Sequence, residues 1–376
     1  MITTIVDYGY FIFGLYSLML ILIGTPLNLL CFYIFKRHIP NRSNPTIVVF
    51  SYLALIELLI PFTWNLNYIV RELIWKHQKN IVIKNLEQHS LFVCKLISYE
   101  AYFLLQCAAW LKTLASFARC VSLHHHWTIR KYISKSNIIH RLSWITILLI
   151  GLINLPILII NGKYVISIDK HNQTEIKVAC YRSVFFQFWE IVHLLLYNFI
   201  PFTLMILCNI YIIRHVHASR QRTQSSRISS NSSVQQSLTI FPINRTSVAN
   251  HGSRLTKTLV FISAFFIIFT SPSAMFYIFF GKKVKTHRNL ITMGLSNLAT
   301  TSHVSSFIIY WLASTDFRDA IISLFCCRSF ISRRQTIEDK NKVKKVPLRT
   351  SLSLTPVSNS NIQRKFSSLR LSQSLQ

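Results

Sequence analysis

Charged residues are scarce in this chain, and acidic residues are the scarcest of them. Of its 376 residues only 14% are charged and 12 are Asp or Glu, whereas 51% are hydrophobic and 13% aromatic. Soluble domains carry about a quarter charged residues. The composition therefore argues against an ordinary soluble fold and predicts a protein whose solvent is lipid.

Sequence signatures of catalysis and of transport are also missing. The apolar stretches contain no nucleophile with a neighbouring base and no His-x-x-x-His metal pattern. The three adjacent residues His124, His125 and His126 diverge by ~100° on a helix and cannot all face one ion. We expect no enzyme, no metal site and no cofactor. A transporter or channel is a weaker alternative, because the chain shows no internal repeat and only one intramembrane charge pair.

Seven stretches are long and apolar enough to cross a bilayer, which requires about 20 residues of helix for ~30 Å. They cover approximately residues 8–35, 45–70, 96–122, 142–161, 186–213, 258–280 and 289–315, and the last is the most polar. The first follows Asp7 rather than a basic segment, which predicts an uncleaved anchor helix. We therefore predict an all-α, seven-transmembrane helix bundle over residues 8–315.

The segments outside the spans have simpler compositions. Residues 1–7 form a short N-terminus, and the polar segment 215–253 is expected to be a flexible loop. Residues 316–330 have an amphipathic pattern, which predicts a short eighth helix on the membrane surface. Residues 331–376 are Ser-rich and basic, which predicts a disordered cytoplasmic tail open to phosphorylation.

Basic residues are distributed unevenly between the two sides of the predicted bundle. With the N-terminus outside, 26 Lys and Arg residues fall on the inner side and 12 in the outer loops. The positive-inside rule favours this orientation in the plasma membrane. The net charge of +29 is then explained by topology and by contact with anionic membrane lipids. Nucleic acid is not expected as a partner, because the basic residues do not form one face of a soluble domain.

Cysteines and one sequon indicate covalent modifications. In this orientation only Cys94 and Cys180 lie outside, where two thiols without competitors are expected to form a disulfide. Asn172 begins an Asn-Gln-Thr sequon on the same outer loop and is a predicted glycosylation site. Cys326 and Cys327 follow the amphipathic stretch and are predicted palmitoylation sites, with unmodified cysteines as the open alternative.

The spacing of several residues carries a family resemblance. Cys94 stands 25 residues before Arg119, and a short motif in the seventh span ends at Tyr310. Other landmarks are Asn28, Trp144, Pro201 and Pro272. Together they resemble the rhodopsin-like (class A) G-protein-coupled receptors over residues 10–328. The segment from Phe199 to Tyr211 in the fifth span looks like the fifth helix of peptide-binding members, and the chain as a whole most resembles invertebrate neuropeptide receptors of the FMRFamide-like type.

The resemblance implies a receptor that passes an extracellular signal, from a peptide, to a heterotrimeric G protein. It places G-protein coupling at Arg119 and Tyr310, and it implies that arrestin binds the Ser-rich tail. The chain departs from the family pattern at Ala118, which replaces an acid, at Thr270 in the sixth span and at Phe307 in the seventh. A non-signalling receptor of the scavenger or chaperone-like kind therefore stays open as an alternative.

Two predictions concern the interior of the bundle. Glu57 and Lys112 lie at similar depth, and because a lone charge there costs about 2.5–3.5 kcal/mol, we predict an intramembrane charge pair. Ala101 stands where the family's amine receptors carry an aspartate, which argues against a monoamine ligand. A ligand pocket is predicted at six residues, with core packing as the alternative for each: Tyr102, Gln106, Glu190, His193, Tyr277 and Ser296.

Overall fold

The computed structural model describes residues 2–37, 45–74, 85–123, 135–168, 174–181, 184–230, 245–280, 284 and 287–326. The chain divides into two compact units, residues 1–324 and 325–376, and only residues 325 and 326 of the second unit are described. The predicted sites at Asn172 and Cys327 and the predicted tail lie outside the described residues. Cys326 is the last described position, and its side chain is not described.

The first unit is a bundle of long helices. Among the described residues, six helical segments are long and apolar enough to cross a membrane, and they correspond to the first six predicted spans. The helices are α1 (Ile2–Arg37), α2 (Pro45–Leu59), α3 (Trp64–Ile69), α4 (Leu91–Leu123), α5 (Ser136–Ile160), α6 (Val184–Leu194), α7 (Ile200–Ser230), α8 (Arg245–Met275), α9 (Arg288–Val304), α10 (Ser306–Ala313) and α11 (Thr315–Cys326). The prediction of a helical membrane bundle with a short eighth helix is confirmed.

The seventh span is present but divided into two helices. α9 has 17 residues and ends at Val304, and α10 begins at Ser306. Polar residues crowd the end of α9, where the Ser302 hydroxyl donates to the Ala299 carbonyl oxygen and the Ser305 hydroxyl to the Ser302 carbonyl oxygen. Such side chain to backbone bonds compete with the regular helix and bend it. The polarity of α9 also explains why no long apolar helix is found here.

Proline interrupts the second and fifth spans. Pro61 has no N–H to bond the carbonyl of Glu57, so α2 ends at Leu59 and a 3₁₀ turn, Ile60–Phe62, precedes α3. In the fifth span a π turn, Leu195–Phe199, joins α6 to α7 immediately before Pro201. Both interruptions rotate the polar side chains beyond them relative to a straight helix.

The structure differs from the sequence predictions outside the membrane spans. α1 begins at Ile2, within the predicted N-terminal segment, and α7 and α8 extend into the predicted loop 215–253. No Gly or Pro lies between residues 202 and 230, so nothing in the sequence stops α7 where its apolar part ends. Outside the helices, β1 (Lys163–Ile168) and β2 (Thr174–Ala179) form an antiparallel hairpin that the sequence reading did not include.

A disulfide between Cys94 and Cys180 ties this hairpin to the start of α4. We call this end of the bundle the disulfide end, and the end where α4 finishes the arginine end. Asn161 reinforces the connection through its side chain. Its Nδ2 donates to the Ser98 hydroxyl at 2.8 Å, and its Oδ1 accepts from the Tyr181 backbone N–H at 3.1 Å. The segment that follows the hairpin is therefore held to the first part of α4 by both links.

α4 is the central helix and packs against α2, α5 and α7. It buries residues along its whole length, from Cys94 to Ala118. The opposite pattern holds on α5, whose outer surface exposes Leu148, Leu149 and Leu152. An exposed apolar surface of this extent matches a helix that faces lipid.

Candidate functional site

The predicted charge pair is brought together in the middle of the bundle. Lys112 Nζ on α4 lies 2.8 Å from Glu57 Oε1 on α2, and both side chains are at most 1% exposed. Each helix is otherwise apolar at this depth, so each charge would lack a partner without the other. The pair joins the second and third spans.

His303 is a third member of this cluster, which the sequence reading missed. Its Nδ1 lies 3.2 Å from Glu57 Oε1, and its Nε2 lies 3.3 Å from the Tyr197 hydroxyl. The same Nδ1 lies 3.3 Å from Lys112 Nζ, so it donates to the carboxylate in one tautomer of the neutral imidazole and accepts from the ammonium in the other. The cluster then carries one negative and one positive charge and is neutral overall.

Phe266 covers the ammonium on a further side. Lys112 Nζ lies 4.2 Å from the centre of its ring, which is within the range of a cation–π interaction. The Phe266 ring also contacts the rings of Tyr197 and His303 edge-on. The five residues Glu57, Lys112, Tyr197, Phe266 and His303 therefore connect the second, third, fifth, sixth and seventh spans. We call them the charge cluster.

Some polar atoms around the charge cluster have no hydrogen-bond partner among the described residues. They are Glu57 Oε2, Asn28 Oδ1 and the Ser306 hydroxyl, all buried. Asn28 nevertheless contacts the seventh span, since its amide donates to the His303 carbonyl oxygen at 3.4 Å.

A second polar network lies nearer the disulfide end. The Asn65 amide on α3 donates to Asn297 Oδ1 at 2.7 Å, and Ser17 on α1 donates to the same oxygen at 2.8 Å. Thr300 donates to Asn65 Oδ1 at 3.0 Å. This network holds the first, second and seventh spans together. The sequence indicates such a network only through asparagines that lie inside apolar spans, and it was not among the predictions.

A buried carboxyl group lies beneath the hairpin at the disulfide end. Glu87 Oε1 accepts from the Asn67 amide at 3.3 Å. Burial raises the pKa of Glu87 to about 7, and the nearby Tyr181 side chain and Arg71 guanidinium lower it only in part. Glu87 is thus a titratable group at neutral pH, outside the membrane-spanning helices.

Three of the six predicted ligand residues form one group, in which Tyr102 and Gln106 are buried and His193 is partly exposed. Tyr102 packs edge-on against His193, with ring centres 4.5 Å apart. Gln106 lies 3.1 Å from His193 Nδ1 and accepts from the Asn154 amide at 2.7 Å. The group joins the third, fourth and fifth spans, so its members fill the core between these helices.

The other three predicted ligand residues lie around the same end of the bundle. Glu190 is exposed, and it interacts electrostatically with Arg288, Tyr102 and Tyr277. Tyr277 is 41% exposed, while Ser296 bonds the Tyr68 side chain. Glu190 and Tyr277 are therefore accessible at the disulfide end, whereas Ser296 contacts Tyr68 instead.

The two predicted coupling residues have different surroundings. Arg119 is partly exposed, four residues before the end of α4. Tyr310 is 1% exposed and packs against Phe35, Phe50 and Phe317 with ring centres 4.8–5.5 Å away. Arg119 is thus within reach of a partner at the arginine end, and Tyr310 joins α10 to α1, α2 and α11.

Comparison with known proteins gives one informative similarity. No protein-family profile matches the chain. A segment of 152 residues is 28% identical to a Caenorhabditis elegans protein named as a probable G-protein coupled receptor, and the alignment covers 40% of this chain and 36% of that protein. The chain thus matches about a third of the relative's length. The matched segment is therefore similar to part of a protein named as a receptor.

Proposed function

We propose that this protein is a rhodopsin-like G-protein-coupled receptor of the plasma membrane, with its N-terminus outside. In this proposal a peptide binds at the disulfide end and a heterotrimeric G protein binds at the arginine end. The observation that carries the proposal is the similarity to a probable G-protein coupled receptor, in a chain that folds as a helical membrane bundle. Arrestin binding to the Ser-rich tail is part of the same proposal.

The geometry of α4 supports a route between the two ends. Cys94 and Arg119 are 25 residues apart on this helix, which corresponds to roughly 38 Å at ~1.5 Å per residue. Lys112 lies between them and bonds Glu57 in the charge cluster. A displacement of the fifth or seventh span would change contacts in this cluster, because Tyr197 and His303 belong to those spans. The cluster is therefore placed to couple the spans.

The disulfide end supports a peptide rather than a small amine. The side chains near its surface offer aromatic faces and an accessible carboxylate, Glu190, that interacts with the Arg288 guanidinium. Ala101, at a buried position of α4, offers no acid deeper in the bundle. An extended ligand with aromatic residues and a basic group complements this surface.

The test of signalling compares Arg119→Ala with Arg141→Ala in transfected cells at matched surface expression. Arg141 is a matched control, because it lies exposed near the start of α5 at the same end of the bundle. G-protein activation is measured without ligand and with a peptide library. We expect signalling by the wild type and by Arg141→Ala and its loss in Arg119→Ala.

The ligand side is tested in the same assay with Glu190→Gln. Glu100, an exposed acid on α4, provides the control substitution Glu100→Gln. We expect only Glu190→Gln to lower the potency of peptides that carry a basic residue. Silence of the wild type towards every peptide, together with surface binding of a peptide, would favour the non-signalling receptor instead; the buried Ala118, which replaces the family's acid, motivates that alternative.

A further inference from the structure

Asn67 on α3 binds a short 3₁₀ turn, Leu86–Gln88, that precedes α4. Asn67 Oδ1 accepts from the Leu86 backbone N–H at 2.9 Å, and Asn67 Nδ2 donates to Glu87 Oε1 at 3.3 Å. Asn67 and Glu87 are each 5% exposed. One buried amide thus holds both the backbone and the carboxyl group of this turn. We call Asn67 and the turn the loop joint.

The loop joint also contacts the disulfide that holds the hairpin. Cys180 Sγ lies 3.5 Å from the Glu87 carbonyl oxygen, and the turn packs against α4 and β2. Cys180 is bonded to Cys94 near the start of α4. A change at Glu87 therefore acts where the second span, α4 and the hairpin meet.

The carboxyl group of Glu87 is buried against a neutral donor, the Asn67 amide. Arg71 lies four residues further along the second span, but its Nε lies 2.6 Å from Glu72 Oε1 and its Nη1 lies 3.4 Å from Asn85 Oδ1. A carboxyl group in such surroundings favours its neutral form. The raised pKa of Glu87, about 7, agrees with this geometry.

Other titratable and charged groups surround the turn, and one of them needs a control. The groups on neighbouring elements are Arg71 and Tyr68 on the second span, Tyr102 on α4, Lys177 on β2 and Tyr181 after β2. Tyrosine, lysine and arginine side chains ordinarily keep one charge between pH 6 and pH 8, whereas histidine titrates near this range. His89 is exposed directly after the turn and therefore provides the control substitution.

The loop joint is connected to the predicted ligand residues through α3. Trp64 precedes Asn67 by three residues, so both lie on one side of this helix. The Trp64 ring packs edge-on against Tyr102, with ring centres 5.8 Å apart, and Tyr102 packs against His193. A shift of α3 at Asn67 consequently disturbs a contact of the ligand residues.

We propose that Glu87 makes peptide binding at the disulfide end sensitive to protons. While the carboxyl group is neutral, the turn stays bound to Asn67 and the ligand residues keep their positions. Formation of the carboxylate favours a state in which the turn leaves Asn67 and water reaches the charge. Peptide affinity then falls as the pH rises. The proton response of the turn does not depend on the proposed function, whereas its effect on a peptide rests on it.

Amide hydrogen exchange of the full chain in lipid nanodiscs tests the response of the turn. Exchange of the turn is compared at pH 6 and at pH 8 in the wild type, in Glu87→Gln and in His89→Gln. Glutamine keeps an acceptor for Asn67 but cannot ionise, and comparison at the same pH cancels the chemical effect of pH on exchange. With a pKa of about 7 in the bound turn and the ordinary 4.5 in the open one, opening of the wild type relative to Glu87→Gln should rise about tenfold between pH 6 and pH 8.

Equal exchange of the turn in the wild type and in Glu87→Gln at pH 8 would overturn the proposal. Loss of the pH response in His89→Gln would overturn it as well, because His89 would then be the responsive group. The wild type alone also decides the matter if Glu87→Gln does not fold. Its protection, measured against an unstructured peptide of the same sequence at each pH, should fall about tenfold, and unchanged protection contradicts the proposal.

The effect on binding is measured with labelled peptides that carry a phenylalanine and an arginine, at pH 6 and pH 8. We expect the affinity of the wild type to fall at pH 8, by up to about tenfold, and that of Glu87→Gln to stay constant. The same pH dependence in both would overturn the connection to the ligand residues. A turn that responds to pH in a chain that binds no peptide would sustain the proton response while removing the proposed function.

Discussion

Lys112→Met removes the cation of the charge cluster and keeps a side chain of similar length. In the wild type, the ammonium lies 2.8 Å from Glu57 Oε1 and 4.2 Å from the Phe266 ring centre. The substitution leaves a fully buried carboxylate whose remaining described partner is His303. Stranding one member of a buried ion pair typically costs about 3–5 kcal/mol.

The loss of stability in Lys112→Met should be large because the Glu57 carboxylate stays buried without its counter-charge, not because the ion pair itself is strong. In Glu57→Gln/Lys112→Met both charges are absent, and His303 Nδ1–H can still donate to the amide oxygen. Replacing a whole buried pair by neutral groups is often nearly neutral in free energy. We therefore expect the double variant to recover most of the stability that Lys112→Met loses. At roughly 2 °C per kcal/mol, the single variant should melt about 6–10 °C below the wild type.

Thermal unfolding of the purified full chain in detergent, followed by tryptophan fluorescence, measures this effect. Lys95→Met is the control, because Lys95 lies on the same helix but only donates to the Ile159 carbonyl oxygen at an exposed position. The reasoning is refuted if Lys112→Met melts no lower than Lys95→Met, or if the double variant is as unstable as the single one.

Two further predictions follow from groups around the candidate site. The pKa of Glu87 is raised to about 7 from its ordinary 4.5, so the folded state binds the proton more tightly than the unfolded state does. The stabilisation from this proton is complete below pH 4.5 and is lost as the pH rises through 7, by about 3 kcal/mol. The melting temperature should therefore fall more between pH 5 and pH 8 in the wild type than in Glu87→Gln. Tyr197→Phe removes the hydroxyl that lies 3.3 Å from His303 Nε2 and should lower the free energy of unfolding by about 1–3 kcal/mol, measured by denaturation in detergent.

Each of these predictions has a control. An equal pH dependence in the wild type and in Glu87→Gln would show that Glu87 does not carry it. For Tyr197→Phe the matched change is Tyr164→Phe on the hairpin, where the ring is 62% exposed. If both phenylalanine variants unfold alike, the Tyr197 hydroxyl does not stabilise the cluster.

The spans were predictable because lipid imposes a strong requirement on sequence. About 20 apolar residues are needed for each crossing, and a charge within a span needs a partner at its own depth. Depth counting along two helices was therefore sufficient to pair Glu57 with Lys112. Helix length alone also placed Cys94 and Arg119 at opposite ends of α4.

The rotation of each helix was not predictable in the same way. His303 faces the charge cluster just before the break at Ser305, and that break depends on local serine and threonine bonds that have no periodic signal. Pro61 and the π turn before Pro201 redirect the second and fifth spans likewise. Tyr102, Gln106 and His193 contact one another, whereas Ser296 bonds Tyr68, and their assignment to a ligand pocket stays a prediction.

The divided seventh span has a consequence for how the chain enters the bilayer during synthesis. α9 buries Asn297, Thr300, Ser302 and His303 within 17 residues, and a segment this polar partitions poorly into lipid by itself. Its polar groups find partners on spans made earlier, among them Asn65 and Glu57. The seventh span should consequently insert stably only when the earlier helices are already assembled, so its insertion depends on whether the second span has folded.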